Sequence, residues 1–211
     1  MAFKYSRRKT SIVLARLIEM QIARFREYRK LVDGGFRDEL RRMKKVAKGL
    51  PADDQHEYFD WHYDQLSLAR DEGPQIHRAA LVIAMYSVFE RGLIQLCRVA
   101  TNQSITARAF EKQANESYIS AARRYLKKDL RLRVLDGEEW RRLDRLRLIR
   151  NCLVHDMGNV AKSSKATQRA VGNTAGVSSG NQGYLQFDVS ALENFGKDIA
   201  TYCKRVADAI P

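Results

Sequence analysis

Leu146-Arg147-Leu148-Ile149-Arg150-Asn151-Cys152-Leu153-Val154-His155-Asp156 closes a leucine-rich segment, and its reading governs that of the whole chain. Leu143, Leu146, Ile149 and Leu153 recur at intervals of three and four, the period of a helix with one apolar face. Asn151 and His155, four apart, share a face. Arg150 lies five residues from His155 and reaches it only by curling its long stem around. Together an arginine, an amide and an imidazole suit the holding of a phosphate and the deprotonation of a hydroxyl. A salt-bridged arginine beside a surface histidine near a helix C-terminus, where positive groups suit the dipole, is the plainer account of the same residues.

Outward from this segment the chain reads as all-α. Thr10 to about Lys48 is predicted helical, with Thr10 or Ser11 as cap. Asp33-Gly34-Gly35 is expected to break that helix into a hairpin or bend it, since paired glycines are poor helix formers. Gly49-Leu50-Pro51 ends the second piece, and Asp53 or Asp54 can cap the next helix. Tyr58, Phe59, Trp61 and Tyr63 are expected to pack between this arm and the rest. After Gly73-Pro74, Ile76 to Ala100 is the most hydrophobic helix, too apolar for one dry face and so central to the core or to a subunit interface. Ser104 to Ala114 reads as a short helix or loop, Tyr118 to Arg133 as a basic helix, Asp136-Gly137 as a turn and Glu138 to His155 as the motif helix. Gly158 is expected to end the motif helix. Residues 158–183, rich in Ser, Gly and Asn, are expected to form a polar surface loop. Gly183 to Phe187 reads as a short extended piece and Val189 to Ala209 as the last helix. The expected organisation is a basic N-terminal helical arm over 1–52 and a helical bundle over 53–211.

The formal net charge is +13, and its distribution is uneven. Residues 1–50 hold 15 basic against 5 acidic side chains, whereas residues 51–100 hold 4 against 8. A polyanion is the expected partner and the basic arm its electrostatic footprint, a solvated basic helix being the alternative. Cys97, Cys152 and Cys203 fall in apolar helical patterns and are expected to be buried free thiols of a reducing cytoplasm. The opening Met1-Ala2-Phe3-Lys4 leads into no hydrophobic leader, and no window approaches 18 uninterrupted apolar residues. Neither secretion nor a membrane partner is expected, and the expected location is cytoplasmic.

Four histidines compete for a role. His56 and His62 lie six apart among Asp53, Asp54, Glu57, Asp60 and Asp64, without the spacing of a metal-binding helix, so no metal or other cofactor is expected. His77 reads as a packing or capping residue. His155 is the one whose neighbours suit phosphate chemistry. Glu90 is conspicuous in the most apolar helix, because a buried carboxylate needs a partner. Arg150 or His155 is one candidate for that partner; the alternative is that Glu90 pairs with Arg91, Arg98 or the basic helix, or faces solvent. Tyr86 lies one turn before it on the same face.

Arg150-Asn151-Cys152-Leu153-Val154-His155 resembles the arginine, four to six residues, histidine motif of the HEPN superfamily, in its Arg-Asn-x-x-x-His form. Ala84-Met85-Tyr86-Ser87-Val88-Phe89-Glu90-Arg91 is similar to the apolar helix ending in an aromatic–Glu pair of HEPN domains in bacterial defence and toxin proteins. The likeness spans about residues 74–209 and leaves out the first 50. It implies an antiparallel helical bundle that dimerises so that two motif helices line one composite cleft. It further implies a metal-independent endoribonuclease, toxin-like or antiviral, that needs no cofactor. His155 exchanges the proton of the ribose 2′-hydroxyl or of the 5′ leaving oxygen, and Arg150 clamps the phosphate. Asn151 fixes the phosphate or the histidine, with Glu90 and Tyr86 in support. The products carry 2′,3′-cyclic phosphate and 5′-hydroxyl ends. RNA, a second copy of the chain, and an antitoxin or defence-complex protein are the expected partners. The alternative is a non-catalytic HEPN-type module that dimerises or binds RNA. A DNA-binding helical protein is a third reading, weakened by the lack of a compact helix-turn-helix pattern.

Overall fold

The computed structural model describes residues 7–101, 109–132 and 137–210. Among them run eight α-helices: α1 Arg7–Lys48, α2 Ala52–Trp61, α3 Tyr63–Ser67, α4 Gly73–Thr101, α5 Tyr118–Arg124, α6 Glu138–His155, α7 Lys165–Gly172 and α8 Val189–Ala209. Two short strands, β1 Val177–Ser179 and β2 Leu185–Phe187, pair antiparallel with Val177 opposite Phe187. The protein is mostly all-α. Residues 104–108 of the short helix or loop expected from Ser104 lie outside the described residues, as do Met1 to Lys4, Arg133 and Asp136.

α4 is central because it is apolar on most of its circumference. Leu81, Val82, Met85, Tyr86, Phe89, Leu93, Leu96, Cys97 and Ala100 are all buried, and α1, α5, α6 and α8 pack around them. Small residues set the closeness of two of these approaches. A Cβ on Gly92 would come within 2.5 Å of the Ile18 side chain of α1, and one on Gly196 of α8 within 2.8 Å of Ile22. Burial of Ala15, Ile18 and Ile22 in the same core as α4 and α8 makes the first half of α1 a wall of the bundle. Ser11 lies inside α1 and is no cap; its hydroxyl donates to the Ala207 carbonyl at 3.1 Å.

Gly34 and Gly35 do not break α1, which runs uninterrupted for 42 residues, about 63 Å at 1.5 Å per residue. Each glycine costs a helix about 1 kcal/mol, and packing on both sides offsets it. On one side Arg29 and Asp33 are buried and paired at 3.1 Å; on the other, Met43 and Ala47 are buried. Neither Asp53 nor Asp54 caps α2, whose N-cap is Pro51, without a side-chain hydrogen bond. Of the four aromatics expected to pack between arm and bundle, Tyr58 and Phe59 are half-buried and the other two are not. Trp61 is 78% and Tyr63 64% exposed.

The stretch 158–183 also departs from the expected loop. A 3-10 turn over Val160–Lys162 and the helix α7 are each capped by a side chain, Asn159 accepting from the Lys162 N–H and Ser164 from the Thr167 N–H. Val160, Ala170, Val171 and Val177 are buried. Here serine and asparagine serve as caps, the other environment that favours them besides loops.

Tyr63–Thr101 is long and apolar enough to cross a membrane, but 50% of its most apolar window is buried inside the bundle. At the start of α4, His77 sits edge-on to Tyr28 with ring centroids 5.3 Å apart, its Nε2 buried without a hydrogen-bond partner among the described residues. Burial holds this imidazole below its ordinary value; Arg78 and Arg29 reinforce the effect and Asp33 opposes it. The unfolded state therefore binds the proton first as pH falls. Stability should be level above about pH 6.5 and decline as pH drops from there toward the folded value. His77→Gln should flatten that decline in urea unfolding curves; an unchanged slope would show that other groups cause it.

Candidate active site

α6 carries five arginines, and four are engaged by carboxylates. Arg141 and Arg145 pair with Glu138, Arg142 with Asp198 at 2.8 Å, and Arg147 with Asp144 at 2.8 Å. Arg150 is different: among the described residues it makes no ion pair. Its Nη1 donates to the Asn151 Oδ1 at 3.1 Å, and its guanidinium carbon lies 5.5 Å from the centroid of the Tyr86 ring. Its Nε is buried without a hydrogen-bond partner among the described residues. An aromatic face and an amide hold the group in place, with no carboxylate paired to it among the described residues.

The spacing of α6 explains this placement. Trp140, Leu143, Leu146, Ile149 and Cys152 are buried, which turns Arg150 to the edge of the interface with α4, where Tyr86 lies. His155 occupies the last turn and is exposed, with no side-chain hydrogen bond or ion pair among the described residues. The chain then reverses sharply through left-handed residues, Met157 at φ 52° and Gly158 at φ 78°. That conformation costs a non-glycine residue about 1–2 kcal/mol, and such residues cluster at functional sites. The turn is held in several places. The Ser163 hydroxyl donates to the Asp156 carboxylate, the Gly158 N–H to the Cys152 carbonyl at 2.9 Å and the Leu185 N–H to the Gly158 carbonyl at 2.9 Å. Val154 is 44%, Met157 80% and Tyr184 48% exposed, so apolar side chains are left open to solvent at the end of α6 and in the segments that follow it.

Tyr86 and Glu90 lie where α4 meets this edge. Tyr86 is buried, and burial, followed by the nearby Glu90 carboxylate, holds its phenol well above its ordinary value; Arg147 and Arg150 pull the other way. Tyr86 is thus a neutral platform for Arg150 and a poor base. Glu90 is half-buried and pairs with neither Arg150 nor His155 among the described residues. Its charge is felt at Tyr86 instead.

Other chemistry has less support. Burial pushes the thiol of Cys203 up to about 12 and raises that of Cys97; burial also raises Cys152, where the Ser163 hydrogen bond opposes it. A buried, protonated thiol is a poor nucleophile. Among the described residues no group of three or more His, Cys, Asp or Glu side chains has the arrangement of a metal site. His56 and Asp60 approach only to 3.7 Å, both exposed. The positive charge of α1 meets a concavity. A groove of about 600 Å³ between α1 and α8 is lined by Arg26, Lys30 and Lys197 together with Glu19 and Glu193, and it adjoins a second, of about 450 Å³, that holds Arg142, Arg145 and Asp198.

No protein-family model, curated protein or solved structure matches the chain. Function is therefore read from the residues. The expected neighbour of Arg150 on α4 was Glu90, and the residue in contact with it is Tyr86, one turn earlier. Val154, Met157 and Tyr184 gave no sequence signal of a shared surface, because scattered exposed apolar residues are ordinary in any chain.

Proposed function

We propose that the protein is a HEPN-type, metal-independent endoribonuclease of a toxin-like or antiviral kind, acting as a homodimer. The observation that carries the reading is Arg150, held by Asn151 and Tyr86 and, among the described residues, without the carboxylate that every other arginine of α6 has. An arginine so placed is available for a phosphate, and His155, on the same helix and exposed, is available for a proton.

In the proposed reaction the ribose 2′-oxygen attacks phosphorus as the bond to the 5′-oxygen breaks. The 2′-hydroxyl proton passes to one His155, and the 5′-oxygen takes a proton from the His155 of the second copy. Arg150 stabilises the charge that grows on the phosphate oxygens. The nucleophile belongs to the substrate, so an RNA lacking the 2′-hydroxyl at the scissile position is not cut. The basic grooves along α1, α8 and α6 supply a route for the rest of the strand. A protein that antagonises or activates the site, such as an antitoxin, is part of the same proposal, as is a cytoplasmic location.

The exposed Val154, Met157 and Tyr184, at the end of α6 and in the segments that follow it, mark the face proposed to meet the second copy. Sedimentation equilibrium at tens of micromolar should give a dimer, with Met157→Glu shifting it toward monomer. A specific interface buries roughly 1,200–2,000 Å², enough for one charge at its centre to matter. A wild-type monomer at that concentration would remove the two-histidine site. One feature favours the alternative of a non-catalytic dimerising or RNA-binding module: Arg150 is half-buried and bonded to its own neighbour, as a structural arginine is. Under that reading RNA binds and stays intact.

A further inference from the structure

One face of the second half of α4 carries a polar track. Ser87, Glu90, Arg91, Gln95 and Arg98 recur at helical spacing, and with Tyr118 at the start of α5 they line an open groove of about 430 Å³. The Ser87 hydroxyl donates to the Ile83 carbonyl at 2.9 Å. Among the described residues the side chains of Glu90, Arg91, Gln95 and Arg98 make no hydrogen bond or ion pair. A half-buried carboxylate without an ion pair is costly, and among the described residues neither Arg91 nor Arg98 pairs with Glu90. Tyr118 is 48% exposed, and Lys112 Nζ lies 5.5 Å from its ring centroid. Glu90 of this groove lies one turn after Tyr86, the platform of Arg150, on the same helix.

We propose that this groove is a base-recognition subsite for a guanine of single-stranded RNA, an inference that rests on the ribonuclease reading above. The Glu90 carboxylate presents two acceptors side by side, matching the adjacent N1–H and 2-amino donors of guanine. Adenine and cytosine offer an amino group next to a bare ring nitrogen, and uracil one N–H between two carbonyls, so none satisfies both oxygens. The Gln95 amide donates to the guanine O6, the Tyr118 ring stacks on the base, and Arg91 and Arg98 meet the flanking phosphates.

The test uses full-length His155→Ala protein, which spares the RNA, and fluorescence anisotropy with labelled UUGUU, UUAUU, UUCUU and UUUUU. The guanine oligomer should bind about tenfold more tightly than the others. Inosine in place of guanine, which removes the 2-amino donor and leaves the protein untouched, should lose most of that advantage. Glu90→Gln in the same background, with its helical circular dichroism retained, should bring all four oligomers within about twofold. Equal binding of the four, no binding of any, inosine binding as guanine does, or guanine preference persisting in a folded Glu90→Gln protein would each overturn the subsite. The two ideas fail separately. Cleavage of RNA with no base preference leaves the nuclease standing without this subsite, and Glu90-dependent guanine binding without cleavage leaves the subsite standing without the nuclease.

Discussion

Cleavage of single-stranded RNA by the purified protein in excess chelator should fall by about 10²- to 10⁴-fold when His155 becomes alanine. Arg150→Ala should cost a similar or larger factor, since a positioned charge on the transition-state phosphate is worth about 10²–10³ or more. The two residues differ in structural cost. His155 is exposed and makes no side-chain hydrogen bond or ion pair among the described residues, so its replacement should leave thermal unfolding unchanged. Arg150 lies against Tyr86 and bonds to Asn151, so its loss should lower the midpoint slightly. Arg150→Lys separates charge from shape: it keeps the charge but loses the planar fork, and most of the defect should remain. Circular dichroism on each variant is the control. Wild-type cleavage by folded His155→Ala would assign the activity elsewhere.

Asp33→Ala should be among the most destabilising single substitutions, at about 3–5 kcal/mol. Arg29 is only 6% and Asp33 7% exposed, and their side chains meet at 3.1 Å. Arg29 also reaches Glu193 of α8 at 3.1 Å, while Arg78 of α4 lies 3.8 Å from Asp33 and donates to the Phe187 carbonyl at 2.9 Å. One carboxylate thus joins α1 to α4 and, through Arg78, to β2. Removing it leaves Arg29 with only the half-exposed Glu193 as counter-ion and Arg78 without an ion pair among the described residues. A thermal midpoint lower by roughly 10 °C is expected at about 2–4 °C per kcal/mol for a chain of this size. The double variant Arg29→Met/Asp33→Leu should recover much of the loss, because apolar replacement of a whole buried pair is often near neutral. A double variant as unstable as Asp33→Ala would show that packing, not the stranded charge, sets the cost.

Long apolar periodicity was the legible part of this fold. α6 and α8 have the bounds that leucine, isoleucine and phenylalanine spacing suggests, Glu138–His155 and Val189–Ala209, and α4 begins three residues before the expected Ile76. The departures share a cause: local preference was overruled by contacts distant in sequence. Gly34-Gly35 looks like a break until the buried Arg29–Asp33 pair on one side and Met43 on the other are known. Residues 158–183 look like a loop because Asn159 and Ser164 are residues of loops and of caps alike. The exposed Trp61 and Tyr63 show the converse, aromatic residues whose burial composition alone does not guarantee.

The candidate site was legible only in part. Arg150, Asn151, His155, Tyr86 and Glu90 stand out by type and spacing, and the structure brings Arg150, Asn151 and Tyr86 into contact. Glu90 was expected to need a buried partner, and one possibility was Arg150 or His155. No such pair forms among the described residues, because Glu90 sits half-exposed at a groove. Gln95 and Tyr118 carried no signal, since only the packing of α5 beside α4 places them together.

The most direct test of the account is the chemistry of the cut. An RNA oligonucleotide with one preferred cleavage site is incubated with wild-type protein in excess chelator, and the product ends are read by mass spectrometry. A matched oligonucleotide carries a single 2′-deoxy sugar at the scissile position. Attack by the substrate's own hydroxyl predicts 2′,3′-cyclic phosphate and 5′-hydroxyl ends, and no cleavage at the 2′-deoxy position. Ends bearing 3′-hydroxyl and 5′-phosphate, or undiminished cleavage at the 2′-deoxy sugar, would mean that water is the nucleophile and would contradict the assignment of Arg150 and His155.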